Sequence, residues 1–161
     1  MDNNRAVISP NLRRWLYRGK RPGSIAKFVN RAWAAVVSSG VAGDLYVTLE
    51  VAGHKSGKIV SLPLVVGVVN GQRYLVSMLG EDVQWVKNVR AASGKVVLHH
   101  GRREAVQLED VAVEARAPII KAYLQRAPGA QPHIPVSKDA PLAEFEKIAA
   151  AYPVFRVIAV S

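Results

Sequence analysis

The apolar positions of this chain change period several times, and each change predicts an element. Strict alternation from Leu45 to Val51, with Leu45, Val47, Leu49 and Val51 on one side and Tyr46, Thr48 and Glu50 on the other, predicts a strand running to Ala52. A second strand is predicted over Ile59–Val69, where Pro63 argues for an edge or a bulge because proline cannot donate to a ladder. Asn70-Gly71 is a strong hairpin signal, and Arg73 to Met78 returns from it. Asp82 is placed to cap a helix carrying Val83, Trp85, Val86 and Val89, which Gly94 ends. Lys95–His100 and Glu104–Val113 form a further strand pair around Gly101-Arg102. Pro118 suits the first turn of a helix holding Ile119, Ile120, Tyr123 and Leu124.

Residues Ala127 to Pro141, with Pro128, Pro132, Pro135 and Pro141, read as a long loop of the kind that lines sites. A short helix, Leu142 to Tyr152, and a last strand, Val154 to Val160, complete the chain. Near the N-terminus, Ser24 can cap and Gly40 can close a helix in which Ile25, Phe28, Val29, Ala32, Trp33, Val36 and Val37 recur at helical spacing. Hairpin-joined strands with helices inserted between them predict an antiparallel barrel decorated by helices. The 161 residues suit one domain, 1–161, with 1–23 as a basic extension.

Composition narrows the chemistry. The chain has no cysteine, which excludes disulfides, thiol nucleophiles and zinc-thiolate centres. A formal net charge of +10 favours an anionic partner: nucleic acid, an anionic membrane, or a phosphorylated or carboxylated small molecule. No recognition-helix, zinc-finger or stacking-platform motif accompanies the charge, so no specific nucleic-acid partner is expected. No apolar run reaches the roughly 20 residues that span a bilayer, and a cytoplasmic protein is expected. Trp15, Leu16 and Tyr17, flanked by Arg13, Arg14, Arg18, Lys20 and Arg21, suit either a solvated basic surface or peripheral contact with anionic lipid.

The stretch Gly53-His54-Lys55-Ser56-Gly57-Lys58-Ile59-Val60-Ser61-Leu62-Pro63 joins the first two strands. Its two glycines permit a tight turn, and the donors between them suit either an anion or a hairpin carrying solvated charges. It is not a P-loop: three residues separate the glycines, Ile59 follows Lys58, and a strand follows the loop. Elsewhere, His99 and His100 are adjacent on a strand and point to opposite faces, while His54 and His133 are isolated, so no metal site is expected. Neither a nucleophile-base-acid set nor a carboxylate pair can be picked from spacing.

The loop, followed by Pro63-Leu64, by Tyr74-Leu75-Val76-Ser77 and by Trp85-Val86-Lys87-Asn88-Val89-Arg90-Ala91, resembles the deazaflavin-dependent nitroreductase family. These are split β-barrel, FMN-binding-like proteins of α+β class, mainly antiparallel, with helices packed around the barrel. The resemblance covers roughly Leu45 to Leu108. It implies an oxidoreductase that transfers a hydride from reduced 8-hydroxy-5-deazaflavin coenzyme F420 to a quinone, nitro or other electron-poor acceptor. Of the cofactor-binding residues it implies, His54, Lys55, Ser56, Gly57 and Lys58 would hold the phosphate and tail carboxylates. Ser61 and Pro63 would flank the ring, Met78, Leu79 and Gly80 would lie beside it, and Trp85 and Asn88 would close the pocket. Tyr46, Tyr74, Tyr123 and Tyr152 are candidate proton donors, with Tyr152 favoured as the catalytic residue. Two features depart from the family's pattern: His54 stands where arginine is common, and Leu79-Gly80-Glu81-Asp82 brings two acids that would repel an anionic tail. Alternatives are an FMN-binding oxidoreductase and a non-catalytic barrel that binds nucleic acid or lipid. The expected partners are a small-molecule acceptor and, as a homodimer, a second copy of the chain.

Overall fold

A computed structural model describes residues 46–160. The predicted helix Ser24–Gly40, the basic extension and the Trp15-Leu16-Tyr17 segment lie outside the described residues. Six strands form one sheet: β1 (Tyr46–Ala52), β2 (Ile59–Val69), β3 (Gln72–Val76), β4 (Lys95–His100), β5 (Arg102–Asp110) and β6 (Val154–Ala159). Every neighbouring pair is antiparallel, in the order β1-β2-β3-β6-β5-β4, and pairing of β1 with β4 closes the barrel. Among the described residues, three α-helices decorate it, α1 (Gln84–Ala91), α2 (Ala117–Arg126) and α3 (Leu142–Ile148). This is the expected α+β split-barrel architecture.

The period-2 pattern decides what fills the barrel. Val47, Leu49 and Val51 of β1 point inward with Leu75, Leu98 and Phe155, and α1 adds Trp85, Val86 and Val89 to the same core. A second core lies outside the barrel wall, where Ile120, Tyr123 and Leu124 of α2 meet Phe145 of α3 and Val154 of β6. Thr48, expected on the polar face of β1, is also buried; it pairs with Pro63 of β2 and His99 of β4. Pro63 sits where the closed barrel is locally open. The β2–β3 ladder spans only Val66–Val69, so at Pro63 the strand has a partner on the β1 side alone, and the missing N–H interrupts no second ladder.

Several boundaries differ from the sequence reading. Asp82 does not cap α1: the cap position is Val83, and Asp82, one residue too early, forms an ion pair with Lys87 instead. The β3 strand stops at Val76, because Ser77 starts a turn in which its hydroxyl donates to Gly80 O. The β5 strand stops at Asp110, short of a 3-10 turn at Val113–Ala115. The Ala127–Pro141 stretch contains a 3-10 turn, Pro128–His133, and the last predicted helix tightens after Ile148 into another, Ala149–Ala151.

The end of α1 is a Schellman arrangement. Ser93 N–H donates to Arg90 O, Gly94 N–H donates to Val89 O, and Ser93, not glycine, takes the first left-handed position with φ of 54°. Gly94 follows at φ of 77°, and its carbonyl accepts from Leu108 N–H at 2.8 Å. A Cβ on Gly94 would stand 2.2 Å from Leu108 O, an approach that only glycine allows. Gly94→Ala is therefore expected to lose about 2–4 kcal/mol, from left-handed strain and overpacking together. Gly101→Ala, at φ of 70° with open space around it, should lose only about 1 kcal/mol. Equal shifts in thermal unfolding would remove the contact with β5 as the cause.

Arg116, immediately before α2, is buried without an acidic partner among the described residues. Its Nε donates to Val111 O at 2.9 Å, and its Nη1 donates to Ala149 O and Tyr152 O at 3.2 and 3.4 Å. Three carbonyls thus solvate the charge, and the guanidinium fastens the turn after α3 to the end of β5. Arg116→Met strands those carbonyls and is expected to cost about 3 kcal/mol, since each unsatisfied buried group costs about 1–3. Lys147→Ala, which removes an exposed ion pair with Glu144, should leave the melting temperature essentially unchanged. Comparable losses in the two variants would refute the structural role of Arg116.

Candidate functional site

The loop between β1 and β2 folds on its own backbone. Gly53 N–H donates to Lys58 O and Gly57 N–H donates to Gly53 O, both at 2.8 Å, with Gly57 at φ of 71°. Ser56 Oγ accepts from Lys58 N–H at 3.2 Å and sits so close beneath Gly53 that a Cβ there would meet it at 2.9 Å. Ser56 therefore shapes the turn. The amides of Lys55 and Ser56 have no acceptor among the described residues, and the ammonium groups of Lys55 and Lys58 have no acidic partner there. His54 to Ser61 are all exposed. Two unopposed cations beside two unspent N–H donors make an anion-attracting turn.

One residue ties this loop to the rest of the protein. Asn88, buried on α1, accepts from His54 N–H at 2.9 Å through Oδ1, which also lies 2.6 Å from His54 Nδ1.

At the other end of the segment leading into α1, Met78, Leu79 and Gly80 line a cleft of about 370 Å³. Pro132, His133, Ala151 and Tyr152 complete its lining. Gly80, at φ of 90°, is held by Ser77: its N–H donates to Ser77 O, and its carbonyl accepts from Ser77 Oγ at 2.6 Å. Tyr152 Oη donates to His133 O at 2.9 Å, and burial raises the phenol pKa above its ordinary value. Tyr152 therefore keeps its proton at neutral pH and spends it on the wall of the cleft, while Arg116 holds the same turn from behind.

The remaining predicted residues lie elsewhere. Trp85 is 8% exposed and packs in the barrel against Phe155, with ring centroids 5.6 Å apart. Ser61 is exposed opposite Glu50, and Pro63 is buried opposite Thr48; neither lines the cleft. The two acids after Gly80 are both balanced: Glu81 pairs with Arg90 and Asp82 with Lys87. Hydrogen bonding to Asp110, and secondarily to Glu81, raises the Arg90 pKa, so its charge is firmly held.

Sequence reasoning missed the roles of Ser77, whose hydroxyl closes a tight turn onto Gly80 O, and of Arg116, two of whose three carbonyls lie far away in the chain. The proline-rich stretch, by contrast, does supply Pro132 and His133. Among the described residues no three histidine, aspartate or glutamate side chains cluster as metal ligands, and no helix is long and apolar enough to cross a membrane.

No protein-family model matches the chain, and no curated protein matches it by sequence. Solved structures do. A conserved hypothetical protein from Mycobacterium tuberculosis superposes with a TM-score of 0.54 at 17% identity, covering 79% of this chain and 80% of that one. A domain-swapped dimer superposes with a TM-score of 0.52 at 20% identity, over 83% of this chain and 99% of that one. An F420-H2-dependent reductase is similar over 71% of this chain and 94% of its own, at 23% identity and a TM-score of 0.48. At these identities the likeness is one of fold.

Proposed function

We propose that the chain is an oxidoreductase that binds an 8-hydroxy-5-deazaflavin coenzyme, with the β1–β2 loop on its phosphate and tail carboxylates and the Met78–Gly80 cleft beside its ring. The observation that carries this reading is the pair of unopposed cations, Lys55 and Lys58, on a turn with two unspent amides. Asn88 joins that turn to the segment whose other end walls the cleft. The sequence resemblance supplies the identity of the ligand, and the donor set fits it. The cleft volume lies within the usual range for small-molecule sites, about 300–1,000 Å³. The acids that would oppose an anionic tail are already paired with Arg90 and Lys87.

The coenzyme supplies hydride chemistry when bound, so the protein's own tasks are to hold and to orient. Lys55 and Lys58 attract the anionic end. The Ser77–Gly80 turn presents backbone to the cleft, and Pro132 and His133 narrow it, leaving space for an acceptor against Tyr152. The acceptor on this reading is a quinone, a nitro compound or another conjugated electron-poor molecule. Site residues Ser61, Pro63 and Trp85 act on this reading through the barrel rather than by lining the cleft.

Titration of the purified full-length chain with oxidised deazaflavin coenzyme should give saturable binding, and titration with FMN should not. Saturation by FMN alone would replace the deazaflavin with a flavin, and saturation by neither would end the proposal. Lys55→Ala should weaken coenzyme binding by roughly 10- to 150-fold, the loss of one charge-assisted contact of about 1.5–3 kcal/mol. Lys147→Ala, whose partner Glu144 lies outside the loop and the cleft, should bind as the native chain does. Equal affinity in the two variants would reduce the loop to a solvated turn.

A further inference from the structure

The contact between His54 and Asn88 determines where a hydrogen sits. A backbone N–H can only donate, so the Asn88 atom 2.9 Å from His54 N is the amide oxygen and not the amide nitrogen. That same oxygen lies 2.6 Å from His54 Nδ1. Two acceptors do not bond, so Nδ1 carries a hydrogen, and in the neutral ring Nε2 is left with a lone pair. His54 is exposed, and no described residue uses that lone pair. An imidazole without such a contact can carry its hydrogen on either nitrogen.

We propose that Asn88 is a positioning residue that locks His54 in the Nδ1–H tautomer and so gives the loop one outward hydrogen-bond acceptor among its donors. One buried oxygen holds both the backbone and the ring of His54, so the lock also fixes the ring relative to Lys55 and to the unspent amides of Lys55 and Ser56. The resulting set is two cations, two N–H donors and one acceptor. It matches an anionic group with an N–H or O–H beside it, such as a phosphoester next to an amide or a hydroxyl, better than an anion without hydrogens. The inference deepens the coenzyme reading by naming the chemistry that the loop selects. It rests on that reading for the ligand, whereas the tautomer stands on geometry alone.

Nitrogen NMR of the full chain labelled in its four histidines tests it. His54→Gln identifies the His54 signals by their loss. In spectra of its neutral ring, recorded at mildly alkaline pH, native His54 should show the Nδ1–H pattern. Asn88→Ala should lose it, and Asn88→Asp, which keeps an oxygen at that place, should retain it. Melting curves check that each variant is folded; should Asn88→Ala not fold, the native and Asn88→Asp patterns decide. An Nε2–H pattern in the native chain, or an unchanged pattern in folded Asn88→Ala, overturns the lock. With oxidised deazaflavin coenzyme as the probe, Asn88→Ala should bind at least about tenfold more weakly. Native affinity despite a lost tautomer would overturn the positioning role. A tautomer that responds as expected in a chain that does not bind the coenzyme would uphold the lock and refute the proposed function.

Discussion

Burial of one face of α1 in the barrel is the constraint on which the candidate site depends. Trp85, Val86 and Val89 recur at helical spacing and enter the core lined by β1, β4 and β6, where Trp85 meets Phe155. Burying three such side chains contributes on the order of 5 kcal/mol, at about 1.5–3 each. That anchorage sets the rotation of the helix, and the rotation decides the rest. Asn88 comes to the β1–β2 loop, and Lys87 and Arg90 come to the two acids that follow Gly80. At the far end, the close approach of Gly94 to Leu108 prevents the helix from sliding along the barrel.

Charge distribution follows from the same placement. Glu50, Glu81, Asp82, Glu104, Glu109, Asp110 and Glu144 each pair with an arginine or lysine. Individually such exposed pairs contribute little to stability. Their collective effect is spatial: most carboxylates of the described region are neutralised near their own strands and helices, while Lys55 and Lys58 remain unopposed. Lys55 and Lys58 are among several cations without an acidic partner in the described region, and they sit on a turn that also offers unspent amides.

The barrel was legible because its signals are local. Alternation in β1, the Asn70-Gly71 turn and Pro118 at the head of α2 each act within a few residues, and each appears where expected. Chain ends of elements were less legible, since they depend on partners elsewhere. Asp82 had the chemistry of a cap but also had Lys87 within reach, and Ser93 took a left-handed position that composition alone would give to Gly94. In the candidate site, the donors of the loop could be read directly from Gly53 to Lys58. The link from Asn88 to His54, 34 residues apart, could not be, because neither residue type at that spacing carries a signal by itself. Arg116 was illegible for a related reason: a basic residue before a helix looks like solvated surface, and only the fold brings three carbonyls to it.

Tyr152 shows how the cleft's wall and its chemistry constrain each other. A phenol whose pKa is raised by burial holds its proton, so at neutral pH it can share or donate a hydrogen but cannot accept one as a base. Its single hydrogen is directed to His133 O, and that bond joins the turn after α3 to the proline-rich stretch at the cleft. Donation to a bound acceptor would require the hydroxyl to rotate away and leave the His133 carbonyl to another partner. The lone pairs of Tyr152 Oη carry no such cost. They can accept from a ligand N–H or O–H while the wall stays closed, so the arrangement of this cleft favours Tyr152 first as an orienting acceptor and only at the expense of its own wall as a proton donor.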